Sequence, residues 1–158
     1  MNYIYQTGGR EKYFRATNVG DCVTRAIANA TGIDYKVIYS RLKELAKHES
    51  TKNHRGHKQS SVRDGVFKET WKKYLKEIGW IHCSSYKQDG TRMALTEQDF
   101  HNKGTFIVQL SKHLTCVKDG VILDTYNCSK KEYYDRDGNL QINTKRTVYG
   151  YWKAPDKN

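Results

Sequence analysis

The hydrophobic period changes once along this chain, and that change restricts the fold more than any other feature. Up to about residue 80, apolar residues recur every three or four positions. Val23, Ile27 and Ala30 share one side of 22–31; Tyr35, Ile38, Leu42 and Leu45 share one side of the next segment; Phe67, Trp71, Tyr74 and Ile78 share one side of a third. This spacing predicts three amphipathic helices. Asp21 and Gly32 suit the two ends of the first, Asp34 the start of the second, and the third runs from about Asp64 to Ile78 with Gly79 as its stop. After Gly104 the apolar runs shorten. Thr105–Leu110, Leu114–Val117, Val121–Tyr126 and Thr147–Lys153 read as strands, with Asp119-Gly120 and Asp137-Gly138 as hairpin turns. Trp80–Cys83 reads as one more short strand, and Thr96-Glu97-Gln98-Asp99 as a capping box on a single helical turn. Residues 1–19 show no period. Helices first and an antiparallel sheet afterwards make an α+β order.

The chain has 158 residues, room for a single domain over 1–158. Leu, Ile, Val and Phe together number only 30, against a net charge of +11, which lies near the limit of what folds. The 12 Tyr and 3 Trp supply the missing apolar area. The sequence lacks an apolar run of membrane-spanning length, so no membrane association is expected. Met1-Asn2-Tyr3-Ile4-Tyr5 leads straight into polar residues, so no secretory signal is expected either. Cys22, Cys83, Cys116 and Cys128 form no CxxC pair. They read as reduced thiols of a cytoplasmic protein, with no metal or cofactor expected. Cys83, Cys116 and Cys128 look ordinary, with Cys116 a buried hydrophobe on a strand.

The positive charge is concentrated. Residues 47–76 carry +6 of the +11, and 47–63 reads as a basic flexible loop. Lys47, Lys52, Arg55, Lys58, Arg63, Lys72, Lys73 and Lys76 would meet an anionic partner, either nucleic acid or the acidic surface of a protein.

Cys22 differs from the other thiols. It falls at the first turn of the first helix, where unpaired N–H groups and the helix dipole favour a thiolate. A nucleophilic thiolate needs a base, and the base needs an orienting group. His113 opens one strand of the Asp119-Gly120 hairpin, and Asp124 lies on the returning strand, roughly opposite Thr115 or Cys116. The carboxylate would hold one imidazole nitrogen while the other faces the thiol. Asp21 reads as an N-cap.

The segments Asn18-Val19-Gly20-Asp21-Cys22-Val23-Thr24-Arg25-Ala26, Ser111-Lys112-His113-Leu114-Thr115 and Asp119-Gly120-Val121-Ile122-Leu123-Asp124-Thr125 together resemble the papain-like cysteine peptidases. They look closest to the small bacterial and phage branch, similar to bacteriocin-processing peptidase domains. The resemblance implies N-terminal helices packed on a C-terminal antiparallel sheet. It also implies a Cys22-His113-Asp124 triad acting on an amide or isopeptide bond of a protein substrate. A Gln a few residues before the nucleophile donates to the oxyanion in that family; the nearest amide here is Asn18. A phage product acting in the bacterial cytoplasm fits this resemblance. The competing reading is a basic module that binds nucleic acid or protein, including an inactive papain-like scaffold that blocks a host defence.

Overall fold

The computed structural model describes residues 1–15, 19–50 and 59–156. Three helices, α1 (Cys22–Thr31), α2 (Tyr35–Ala46) and α3 (Lys68–Glu77), accompany eight strands. These are β1 (Tyr3–Tyr5), β2 (Ile81–Cys83), β3 (Thr105–Leu110), β4 (His113–Lys118), β5 (Val121–Asp124), β6 (Lys131–Tyr134), β7 (Leu140–Asn143) and β8 (Gly150–Lys153). Six of them form one sheet in the order β1-β5-β4-β3-β8-β2, and β6 and β7 form a separate hairpin. The fold is therefore α+β, with a mostly antiparallel mixed sheet. The sheet is not confined to the C-terminal half, and this corrects the expectation from sequence. β1 joins from the N-terminus and pairs in parallel with β5, Tyr5 lying beside Asp124. A three-residue strand held by backbone bonds at an exposed edge carries no side-chain period to read.

The helices cover one face of the sheet. Ile107, Leu114 and Trp152 meet Val23, Ile27, Ile38, Leu42, Trp71 and Leu75 there. On the other face Val108, Leu110, Val117 and Ile122 pack with Leu95, Phe100, Cys128 and Val148. Both faces of the central strands are thus buried, which fixes their register: a slip of one residue would exchange the two sets. Asp119 and Gly120 both take positive φ, as the tight β4–β5 turn requires.

α1 begins at Cys22, and Gly32 closes it in the left-handed conformation. Asp34 caps α2 by accepting from the Lys36 N–H at 3.0 Å. α3 starts at Lys68, four residues later than its apolar spacing suggests. The chain before it is spent on a turn closed by the Gly65 N–H on the Ser61 carbonyl, at 2.7 Å. Thr96 accepts from the Asp99 N–H at 3.3 Å, but the Asp99 carboxylate turns to Ala94 N–H, and 96–100 makes turns only.

The basic 47–63 stretch is described only at its ends. Glu49 there accepts from Ser60 N–H at 2.6 Å and also from Thr70 on α3. Lys52, Arg55 and Lys58 lie outside the described residues. Among the described residues no helix is long and apolar enough to cross a membrane.

Candidate active site

α1 points its N-terminus at the start of β4, and this brings Cys22 to His113. The Cys22 thiol lies beside the His113 imidazole and the Leu114 backbone N–H, close enough for both to favour its ionised form. Asp124 comes from β5. Cys116 pairs with Leu123, so the next rung sets Thr115 beside Asp124. Thr115 O–H donates to Asp124 Oδ2 at 2.7 Å, and His113 Nε2–H donates to the same oxygen at 2.7 Å. The Thr125 backbone N–H donates to Oδ1, also at 2.7 Å. Nε2 is committed to the carboxylate, which leaves Nδ1 to serve the thiol. Lys112, at φ 54°, makes the sharp turn that brings the histidine into the strand, and the Tyr126 ring lies 5.3 Å from the imidazole, tilted against it.

The electrostatics follow from these contacts. Burial works against ionising Cys22, but the imidazole, the Leu114 N–H and the Arg25 charge outweigh it and hold the thiol pKa below its ordinary value. Burial likewise disfavours a charged imidazole. The Asp124 hydrogen bond, with those to Cys128 and Cys22, overcomes this and raises His113 far above an ordinary histidine. Asp124 is held low against its own burial by His113, Thr115 and the Thr125 N–H. Both shifts act in the direction of a thiolate–imidazolium pair backed by a carboxylate. Cys116 shows the contrast: burial, with the Asp124 charge adding to it, pushes its thiol up to about 12.

Two features were not legible in the sequence. Asp21 occupies the N-cap position of α1 but makes no side-chain cap. Its buried carboxylate binds Arg10 at 2.9 Å, Tyr35 O–H at 2.5 Å and Arg25. Arg25 continues to Asp124 Oδ1 at 3.4 Å. Charges alternate along Arg10, Asp21, Arg25, Asp124, His113 and Cys22. Asp21 thus belongs to the support of the triad, a correction to its reading as a cap. Cys128, which looked ordinary, is fully buried and ends with its thiol near the imidazole. Donor atoms of His113, Asp124 and Cys128 lie within 4.8 Å of one another, the one such group among the described residues able to hold a metal ion. These are zinc-type donors, and a metal there would compete with Asp124 for the imidazole.

Cys22 and His113 open into a cleft of about 600 Å³, walled by 61–68 and Trp71 on one side and by Gln109 and Lys112 on the other. Gly20 lets the chain pass against that first wall; a Cβ there would sit 2.5 Å from the Asp64 carbonyl oxygen. Gln109, only 6% exposed, lines the cleft, and its carboxamide makes no hydrogen bond to other described residues. Asn18 lies outside the described residues. The structure therefore brings Cys22, His113 and Asp124 together. Comparison with protein-family models, curated proteins and solved structures gave no match.

Proposed function

We propose that the chain is a cysteine hydrolase of the papain-like kind, acting on an amide or isopeptide bond of a protein substrate. One observation carries the reading: a thiol at a helix N-terminus, open to a cleft, lies beside an imidazole that donates to a buried carboxylate. Cys22 thiolate attacks the amide carbonyl. The Cys22 backbone N–H, at the start of α1 and without a partner among the described residues, faces the developing oxyanion. His113 imidazolium gives its proton to the leaving amine, then takes one from the water that hydrolyses the thioester. Asp124 keeps the ring oriented and stabilises its charge. The Gln109 carboxamide, open to the cleft, is the residue placed to bind the peptide group around the scissile bond.

Alkylation by iodoacetamide tests the nucleophile without a known substrate. Cys22 is expected to react fastest of the four thiols, with a midpoint below the ordinary thiol pKa of about 8.5. The His113→Ala variant should move that midpoint upward. A Cys22 that titrates like an ordinary thiol in both proteins would overturn the reading.

A further inference from the structure

A second cavity, of about 330 Å³, lies beyond the far end of α3 from the Cys22 cleft. It is bounded by Lys72, Lys76, Trp80, His82 and Trp152. The two cavities adjoin. Trp71 lines the Cys22 cleft and packs edge-on against Trp152, their ring centroids 5.0 Å apart. Gln109 lines the cleft and pairs in register with Gly150, over which His82 folds closely enough that a Cβ on Gly150 would sit 2.9 Å from His82 Nε2. The exposed face of α3 spans the two cavities, with the buried Trp71–Trp152 pair beneath it. Lys68 stands at the cleft end, with Lys72 and Lys76 at the second cavity.

These three lysines sit at i, i+4 and i+8 of α3, so they share a face. All are exposed, and none is ion-paired among the described residues. The acid at the end of the helix, Glu77, is bound by Arg41. Four residues of helix advance about 6 Å, and alternate residues of an extended chain advance about 6.6–6.8 Å. The lysine row and an extended peptide are thus nearly commensurate over three positions. The opposite wall is aromatic. An extended segment shows its intervening side chains to that wall, where Trp80 and His82 offer ring surface.

We infer that this face of α3 binds a substrate segment with acidic residues at alternate positions and apolar ones between, leading from the scissile bond at Cys22. The inference rests on the hydrolase reading for its direction. That chemistry favours a polypeptide over the other polyanion of similar repeat, a single-stranded nucleic acid.

The test uses the full chain carrying Cys22→Ala, so that nothing turns over. Fluorescence anisotropy compares a labelled Glu-Leu-Glu-Leu-Glu-Ser peptide with its Gln-for-Glu counterpart and with an oligothymidylate. The acidic peptide should bind about tenfold more tightly than the neutral one at low salt, and added salt should erase the difference. K68E/K72E/K76E and the neutral K68Q/K72Q/K76Q should both lose the preference. K73E/K103E/K130E, equal in charge change to the first but off the row, should keep it. Equal binding of the two peptides, equal loss in the off-row variant, or oligothymidylate binding through the row in place of the peptide would each overturn the inference. Cys22 alkylation in the unaltered chain reads the nucleophile independently of the peptide, so failure of the lysine face and failure of the nucleophile are told apart.

Discussion

Replacing Asp21 by Ala distinguishes a helix cap from the keystone of a buried charge network. As a plain N-cap, Asp21 would be worth about 1 kcal/mol. Its side chain is instead fully enclosed, and it binds two arginines whose side chains are 5% and 7% exposed, together with the Tyr35 hydroxyl. Burial and the bond to Asp21 hold that phenol in its protonated, donating form. Removing the central anion strips compensation from charges that stay buried, a loss of roughly 3–5 kcal/mol. At about 2–4 °C per kcal/mol for a chain of this size, the melting temperature should fall by roughly 6–20 °C. Urea unfolding read from tryptophan fluorescence gives the free energy directly, provided the slope is unchanged. Asp34→Ala is the internal standard, since Asp34 caps α2 from an exposed position. If Asp21→Ala costs no more than Asp34→Ala, the network is not what stabilises this end of α1.

Further outcomes follow from the same geometry. Asp124→Asn removes the charge that holds the imidazolium, so the His113 pKa should fall and the Cys22 alkylation midpoint should rise; an unmoved midpoint would separate Asp124 from the pair. For turnover, the acid limb should follow the lowered Cys22 pKa and the alkaline limb the raised His113 pKa, the pair titrating as a unit. For stability, Asp124's contribution is present above its unfolded pKa of about 3.9 and is lost as pH falls through its depressed folded value. His113's contribution is present below about 6.5 and is lost as pH rises through its raised folded value. Gly20→Ala forces a methyl group onto the Asp64 carbonyl, so it should destabilise by about 1–3 kcal/mol and slow Cys22 alkylation; a silent substitution would show that the 61–65 wall moves freely. Cys116, buried and pushed up to about 12, should stay unmodified in the native protein and react only on unfolding, as mass spectrometry of alkylated peptides would record.

Local rules foresaw much of this architecture. Asp119-Gly120 demanded a tight turn, and counting back from it placed Asp124 roughly opposite Thr115 or Cys116 and within reach of His113; the register settles on Thr115. The start of α1 followed from Gly20-Asp21 before a helical period. What escaped were contacts between segments far apart in sequence. An aspartate before a helix suits a cap equally well whether or not Arg10 and Tyr35 arrive from elsewhere to claim its carboxylate. Cys128 follows β5 in an irregular segment, and nothing near it signals that it ends beside His113. The early start assigned to α3 failed because Phe67 fits the apolar period yet sits in extended backbone, beyond the turn that closes on Gly65. β1 and the Gly20–Asp64 approach depend on backbone packing, which residue type does not encode.

The simplest alternative for Cys22 is a structural thiol, and Cys116 shows what that looks like. Cys116 is fully enclosed in the sheet, and burial raises its pKa. Cys22 is half-buried, opens to a cleft and is shifted the other way. A fold gains little by arranging this. Apolar side chains of similar volume stabilise an interior as well as buried ion pairs do, often better. Here Arg10, Asp21, Arg25, Asp124 and His113 lose hydration together, and the sequence of alternating charges ends at a sulfur that substrate can reach. Perturbed groups gathered at a cleft are characteristic of sites that do chemistry. Packing alone accounts for Cys116; for Cys22 it leaves the direction of the pKa shift, the opening to the cleft and the enclosed carboxylates behind His113 without a cause, and the nucleophile reading supplies one cause for all three.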